Sequence, residues 1–305
     1  MPATAAPIPA ERPVAGILWM ATTGLCFVAV TGIVKHVGQD MPAAQAAFLR
    51  FVLGLVFLLP VLPALVNFRP GRAGMTMFGA RAALHVVGVV LWFYAMTQIS
   101  IAEVTAMNYL APVYVTVGAA LFLGEKLAAR RILAVAAGLL GALIILRPGF
   151  REISPGHLAM LGTALAFGAS YLITKRLSER YDAGMVVAML SVMVTVGLAP
   201  LAWAVWVPPT AVQIGWLFLV AAFATAGHYA MTRAFAAAPV TVTQPVTFLQ
   251  LVWATLLGLL VFSEPIDGWV ILGGALILGA VSFITWREHV LKRRAATASL
   301  EATRP

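Results

Sequence analysis

Charge is what this sequence has least of. Only 10 % of its 305 residues are Asp, Glu, Lys or Arg, where a soluble domain carries roughly 25 %, so ionised side chains are too few to cover a water-facing surface of this size. Cysteine is nearly absent: Cys26 stands alone in an apolar run, which excludes a disulfide within the chain. The first residues, MPATAAPIPAERP, hold no basic stretch, and the apolar run behind them is too long for a signal peptide. HExxH, GxSxG, a Walker motif and a pair of aspartates inside an apolar segment are all missing. Those absences argue against intramembrane hydrolysis and direct ATP coupling.

What remains is apolar: 62 % of residues are hydrophobic and the mean hydropathy is +0.96. Cutting at charges, prolines and Gly-Pro clusters leaves ten segments, near 14–35, 43–66, 74–98, 101–123, 130–147, 156–177, 184–206, 211–235, 239–262 and 267–286. At roughly 20 residues per crossing, these read as ten transmembrane helices; they are continuous rather than alternating, so a barrel is excluded. The expected fold is all-α and integral to the membrane. With the N-terminus in the cytoplasm, sixteen of the twenty Lys and Arg residues fall on the cytoplasmic side, Lys35, Arg147 and Arg151 on the other, and Arg50 within the second span. That bias predicts both termini in the cytoplasm. It also explains the net charge of +9 by an anionic lipid surface, without a nucleic acid partner.

The chain repeats itself. At a shift of 140 residues, Gly16, Leu18, Met20, Thr23, Leu25, Phe27, Ala29, Ile33 and Lys35 meet identical residues at Gly156, Leu158, Met160, Thr163, Leu165, Phe167, Ala169, Ile173 and Lys175. Leu123-Gly124-Glu125-Lys126 corresponds to Phe262-Ser263-Glu264-Pro265 at a shift of 139. Each copy holds five spans, an odd number, so the second copy is expected to enter the membrane from the opposite side. Inverted repeats of this kind suit alternating access around a site at their interface. The expected division is a flexible cytoplasmic lead over 1–13, a first repeat over 14–149, a second over 150–287, and a basic, fraying tail over 288–305.

Arg81 through Trp92-Phe-Tyr-Ala95, then Ala102-Glu103, Ala111-Pro112, Leu123-Gly124-Glu125, Gly138, Gly141 and Leu146-Arg-Pro-Gly149, resembles the first EamA domain of the drug/metabolite transporter superfamily. The second half resembles its partner domain through Gly227-His-Tyr, Arg233-Ala-Phe, Ala238-Pro239, Trp253 to Gly258 and Val261 to Pro265. The resemblance implies ten helices, a central cavity and transport of a small organic metabolite; members handle amino acids, purine-like compounds, S-adenosylmethionine and riboflavin. Pro112 departs from symmetry, mapping onto Leu251, while the second copy has Pro245 about two turns earlier.

Polar groups inside a span are expensive and mark pathways or sites. The cavity candidates are Trp19, Thr23, His85, Trp92, Asn108, Tyr109, Tyr171, His228, Gln244, Thr247 and Gln250. His85, Glu103 and His228 are the candidates for proton coupling, and Pro112, Pro239 and Pro245 for hinges. Competing structural readings stand beside them: Thr hydroxyls bond back to their own helix, Arg81 and Arg233 snorkel to headgroups, and Arg50 is given a structural role. The expected function is secondary-active or facilitative movement of a metabolite, such as an amino acid, S-adenosylmethionine or riboflavin, across a bacterial inner membrane. The alternatives are a drug or lipid-intermediate exporter of the same fold and, after it, an intramembrane enzyme. The expected partners are a small metabolite and the bilayer, with the chain a monomer or homodimer; neither cofactor nor metal is expected.

Overall fold

The computed structural model describes residues 12–302 apart from 124–128, 151, 179 and 239. Among these every regular element is helical. Helix α1 runs Pro13–Val37; α2, Ala43–Gly54, passes through a 3-10 turn at Leu55–Val61 into α3, Leu62–Val66; and α4 is Gly71–Gln98. Then come α5, Ile101–Asn108, α6, Leu110–Leu123, and α7, Ala129–Leu146. The second half holds α8, Pro155–Ser178, α9, Ala183–Ala204, α10, Ala211–Ala237, and the short α11, Val240–Thr243. A 3-10 turn at Gln244–Thr247 leads into α12, Phe248–Phe262, and α13 is Gly268–Ala302.

Seven of the described helical stretches are long and apolar enough to cross a bilayer, with shorter apolar helices at Ile132–Leu146 and Phe248–Phe262. The chain is therefore a multi-span membrane protein. Three of the ten expected segments fall short, two for a chemical reason. Pro112 has no N–H to offer the Asn108 carbonyl, and the helix breaks at Tyr109, between α5 and α6. Pro245 removes the same bond four residues back, and a 3-10 turn separates α11 from α12. The tail expected to fray instead continues α13 to Ala302, since KRRAATASLEA is almost wholly good helix formers. Of the N-terminal lead, residues 1–11 lie outside the described part.

Packing exchanges partners between the halves. Helix α1 lies on α10 and α12, and its image under the 140-residue shift, α8, lies on α4 and α6. Likewise α2 meets α9 and α10, while α9 meets α2 and α4. Glycines set the closest crossings: Gly88 passes under the Phe167 ring, and Gly227, 139 residues on, passes beside Cys26 and Phe27. Images α7 and α13 pack on each other, with Gly138 against Ala280, Gly141 against Ile277 and Gly273 against Ile145. One index falls as the other rises, so the two helices are antiparallel and the two copies are inverted with respect to each other.

Candidate functional site

The inverted packing leaves a cavity of about 290 Å³ between the copies, walled by α1, α2, α4 and α5 from one half and α8, α10 and α12 from the other. Its apolar surface is aromatic: Phe27, Trp92, Phe93 and Phe167. Tyr171, which retains 47 % of its accessible surface, borders this hollow. The polar lining comes from Arg50, His85, Asn108, His228 and Gln250, with Thr31 and Thr105. A second hollow of about 200 Å³ adjoins the first and shares Arg50, His85, Ala224 and His228 with it.

Each histidine is held by the phenylalanine of the opposite half. The His85 ring lies 4.9 Å from Phe167 and the His228 ring 5.1 Å, edge-on, from Phe27; Phe27 and Phe167 are the same position in the two copies. His228 Nδ1 sits 2.6 Å from the Ala224 carbonyl, which fixes that nitrogen as the protonated one and makes Nε2 the acceptor of the neutral ring. Buried His85 Nδ1 and Asn108 Oδ1 have no protein partner among the described residues. Such atoms are costly in a dry core but are suited to bonding a bound molecule.

The helix breaks meet beside this cavity. Tyr109 is not in its wall; its hydroxyl donates to the Thr247 carbonyl at 3.0 Å and ties the α5–α6 break to the 3-10 turn of the other copy. Asn108, one residue earlier, lines the cavity. The structure thus brings together His85, Trp92, Asn108, Tyr171, His228 and Gln250. It places Thr23 elsewhere, buried and donating to the Trp19 carbonyl at 2.9 Å, and Trp19 beneath the Arg233 guanidinium at 5.5 Å. Pro112 stands in the first turn of α6. Pro239 and the side chains of Gln244 and Pro245 lie outside the described residues.

Glu103 is also away from the cavity. Its Oε2 accepts from the Ser100 backbone and hydroxyl, both at 2.9 Å, as the capping box of α5, and its Oε1 is 3.1 Å from His157 Nε2. Two further links join the copies at this end. Lys35 Nζ lies 2.5 Å from Glu264 Oε1 while Glu264 Oε2 accepts from the Ile101 N–H at 2.9 Å, and Arg147 pairs with Asp267. Sequence reading missed Arg50 as a lining residue, its solitary place in an apolar run being what a packing arginine would also show. The available signal was its position seven residues inside a span.

The EamA-like transporter family model matches residues 14–147 and again 154–286. The chain belongs to this family. Among its relatives is a riboflavin transporter of Rhizobium johnstonii, 34 % identical over 94 % of this chain and 96 % of that protein. A riboflavin transporter of Vibrio cholerae is 30 % identical over 93 % of this chain and 97 % of its own length. A pseudopaline exporter of Pseudomonas aeruginosa is 29 % identical over 87 % of this chain and 94 % of that one. The EamA-like chain is thus a small-molecule transporter, and its relatives carry the names of transporters rather than enzymes.

Proposed function

We propose that the chain is a secondary carrier with ten spans and both termini in the cytoplasm, moving a small metabolite with a planar aromatic part across a bacterial inner membrane by alternating access. The observation that carries this reading is the cavity between the inverted copies, where aromatic rings face His85, Asn108, His228 and Gln250. Rings of that kind offer flat apolar faces to a heterocycle, and the side chains around them supply the few polar groups that orient it. Riboflavin, named for two relatives, is accordingly the first cargo to test. The ten-span topology is supported by the distribution of Lys and Arg, and the two-repeat division by the exchange of helix partners.

No carboxylate among the described residues lines the cavity, and Glu103 is engaged by Ser100 and His157. That favours exchange or uniport over tight proton coupling, with His85 and His228 the remaining proton-coupling candidates in the cavity wall. The test is counterflow into proteoliposomes loaded with excess unlabelled compound, using riboflavin, amino acids, nucleosides and S-adenosylmethionine in turn. Uptake stimulated from the opposite face by one of these is the expected result. Uptake indifferent to internal substrate would mark a channel, and no movement of any compound would sink the carrier reading for these cargo classes.

A further inference from the structure

Arg50 lies in α2, where both hollows meet, and borders each of them. Its guanidinium rests 4.3 Å from the Phe51 ring centre, and among the described residues it makes no hydrogen bond and no ion pair. No Asp or Glu stands in either wall; the other ionisable groups they share are His85 and His228. A cation held in an apolar span without an acid is costly, and no partner for it is found among the described residues. Lys35 and Arg147, by contrast, are each paired with a carboxylate of the opposite copy. The partnerless atoms His85 Nδ1 and Asn108 Oδ1 border the same hollow and are a second, independent sign of a site built to be filled.

We propose that Arg50 is a specificity-determining residue that receives an acidic group of the cargo, a carboxylate or a phosphate, while the aromatic walls take its ring. The planar guanidinium fork matches either group through two parallel hydrogen bonds. In a low-dielectric cavity its charge also repels a cation of the same shape. The carrier therefore selects aromatic acids over their amides and excludes the corresponding amines. This rests on the cavity being the transport site, as proposed above, and adds the charge class of what occupies it.

The experiment measures affinity on the purified full chain in detergent, by ligand-induced thermal shift, with two sets of compounds matched in ring and differing in charge. Indole-3-acetate, indole-3-acetamide and tryptamine test a carboxylate; riboflavin 5′-phosphate against riboflavin tests a phosphate. The expected result is an acid bound at least about tenfold more tightly than its neutral counterpart, with tryptamine weakest. Arg50→Gln brings acid and neutral compound to within about twofold, and Arg50→Lys, which keeps the charge but loses the fork, retains only part of the preference. A preference confined to the indoles identifies a carboxylate, and one confined to the flavins a phosphate. Equal affinities within both sets, silence in both, or a preference that survives Arg50→Gln overturns the proposal. The wild-type comparison decides even if Arg50→Gln fails to fold. Counterflow of the acidic compound that Arg50→Gln leaves intact would remove the charge selection and leave the carrier reading standing.

Discussion

Hydroxyls and amides in the spans divide by whether their own helix already satisfies them. Thr23, Thr31, Thr105 and Thr116 each donate to the carbonyl four residues back at 2.8–3.0 Å, which spends their one donor locally. His85 and Asn108 have buried atoms without a hydrogen-bond partner among the described residues. His85→Ala and Asn108→Ala are therefore expected to cut counterflow by about tenfold, the worth of one hydrogen bond to a bound molecule, with melting temperature nearly unchanged. Thr23→Ala should leave counterflow as it was. A second prediction concerns the pair at the end of α1, whose side chains are 13 % and 14 % exposed. Lys35→Met leaves Glu264 without its cation and should cost about 3 kcal/mol, while Lys35→Met with Glu264→Met should recover much of that loss; a shift in the melting temperature reads both. His85 was legible because it follows Arg81 by four residues on one helix face. Lys35 and Glu264 are 229 positions apart and pair only because the copies interlock, a fact carried by packing rather than by local pattern.

Among the elements, α5–α6 and α11–α12 are interrupted beside the cavity, and their interruptions meet through Tyr109 and Thr247. A proline that breaks a helix beside a cavity trades stability for carbonyls and for bending. Pro112→Ala restores the N–H that would bond the Asn108 carbonyl, so it should raise the melting temperature, by up to about 3 kcal/mol in free energy, and lower the rate of exchange. Opposite signs in the two measurements are the mark of a working hinge; a fall in both would make Pro112 purely structural. The prolines were visible in the sequence, and so was the mismatch of Pro112 with Leu251. The meeting of the two breaks was not, because a hydrogen bond from a tyrosine to a distant backbone leaves no periodic trace. The continuation of α13 beyond Arg287 was obscured for another reason: charge ends an apolar run without ending a helix, since Lys, Arg and Glu are good helix formers.

For the whole molecule, the 140-residue repeat was readable because identities such as Phe27 with Phe167 survive at fixed spacing. Its inversion followed from counting five spans, and the antiparallel contact of α7 with α13 shows it directly. Sidedness is tested with single cysteines placed at positions 5 and 300 in a Cys26→Ser background. Both are expected to react from the cytoplasmic face, and reaction from opposite faces would refute the proposed topology.

The crossing of α7 and α13 joins a helix to its own image. At the 139-residue shift Gly138 corresponds to Ile277 and Ala280 to Gly141, so the operation that swaps the halves turns the Gly138–Ala280 contact into the Gly141–Ile277 contact and carries the crossing onto itself. If each half adopts the conformation of the other during a transport cycle, this junction reads the same before and after. In such a cycle it serves as an axle, where paired distance probes should report no change while the mouths at either end trade widths.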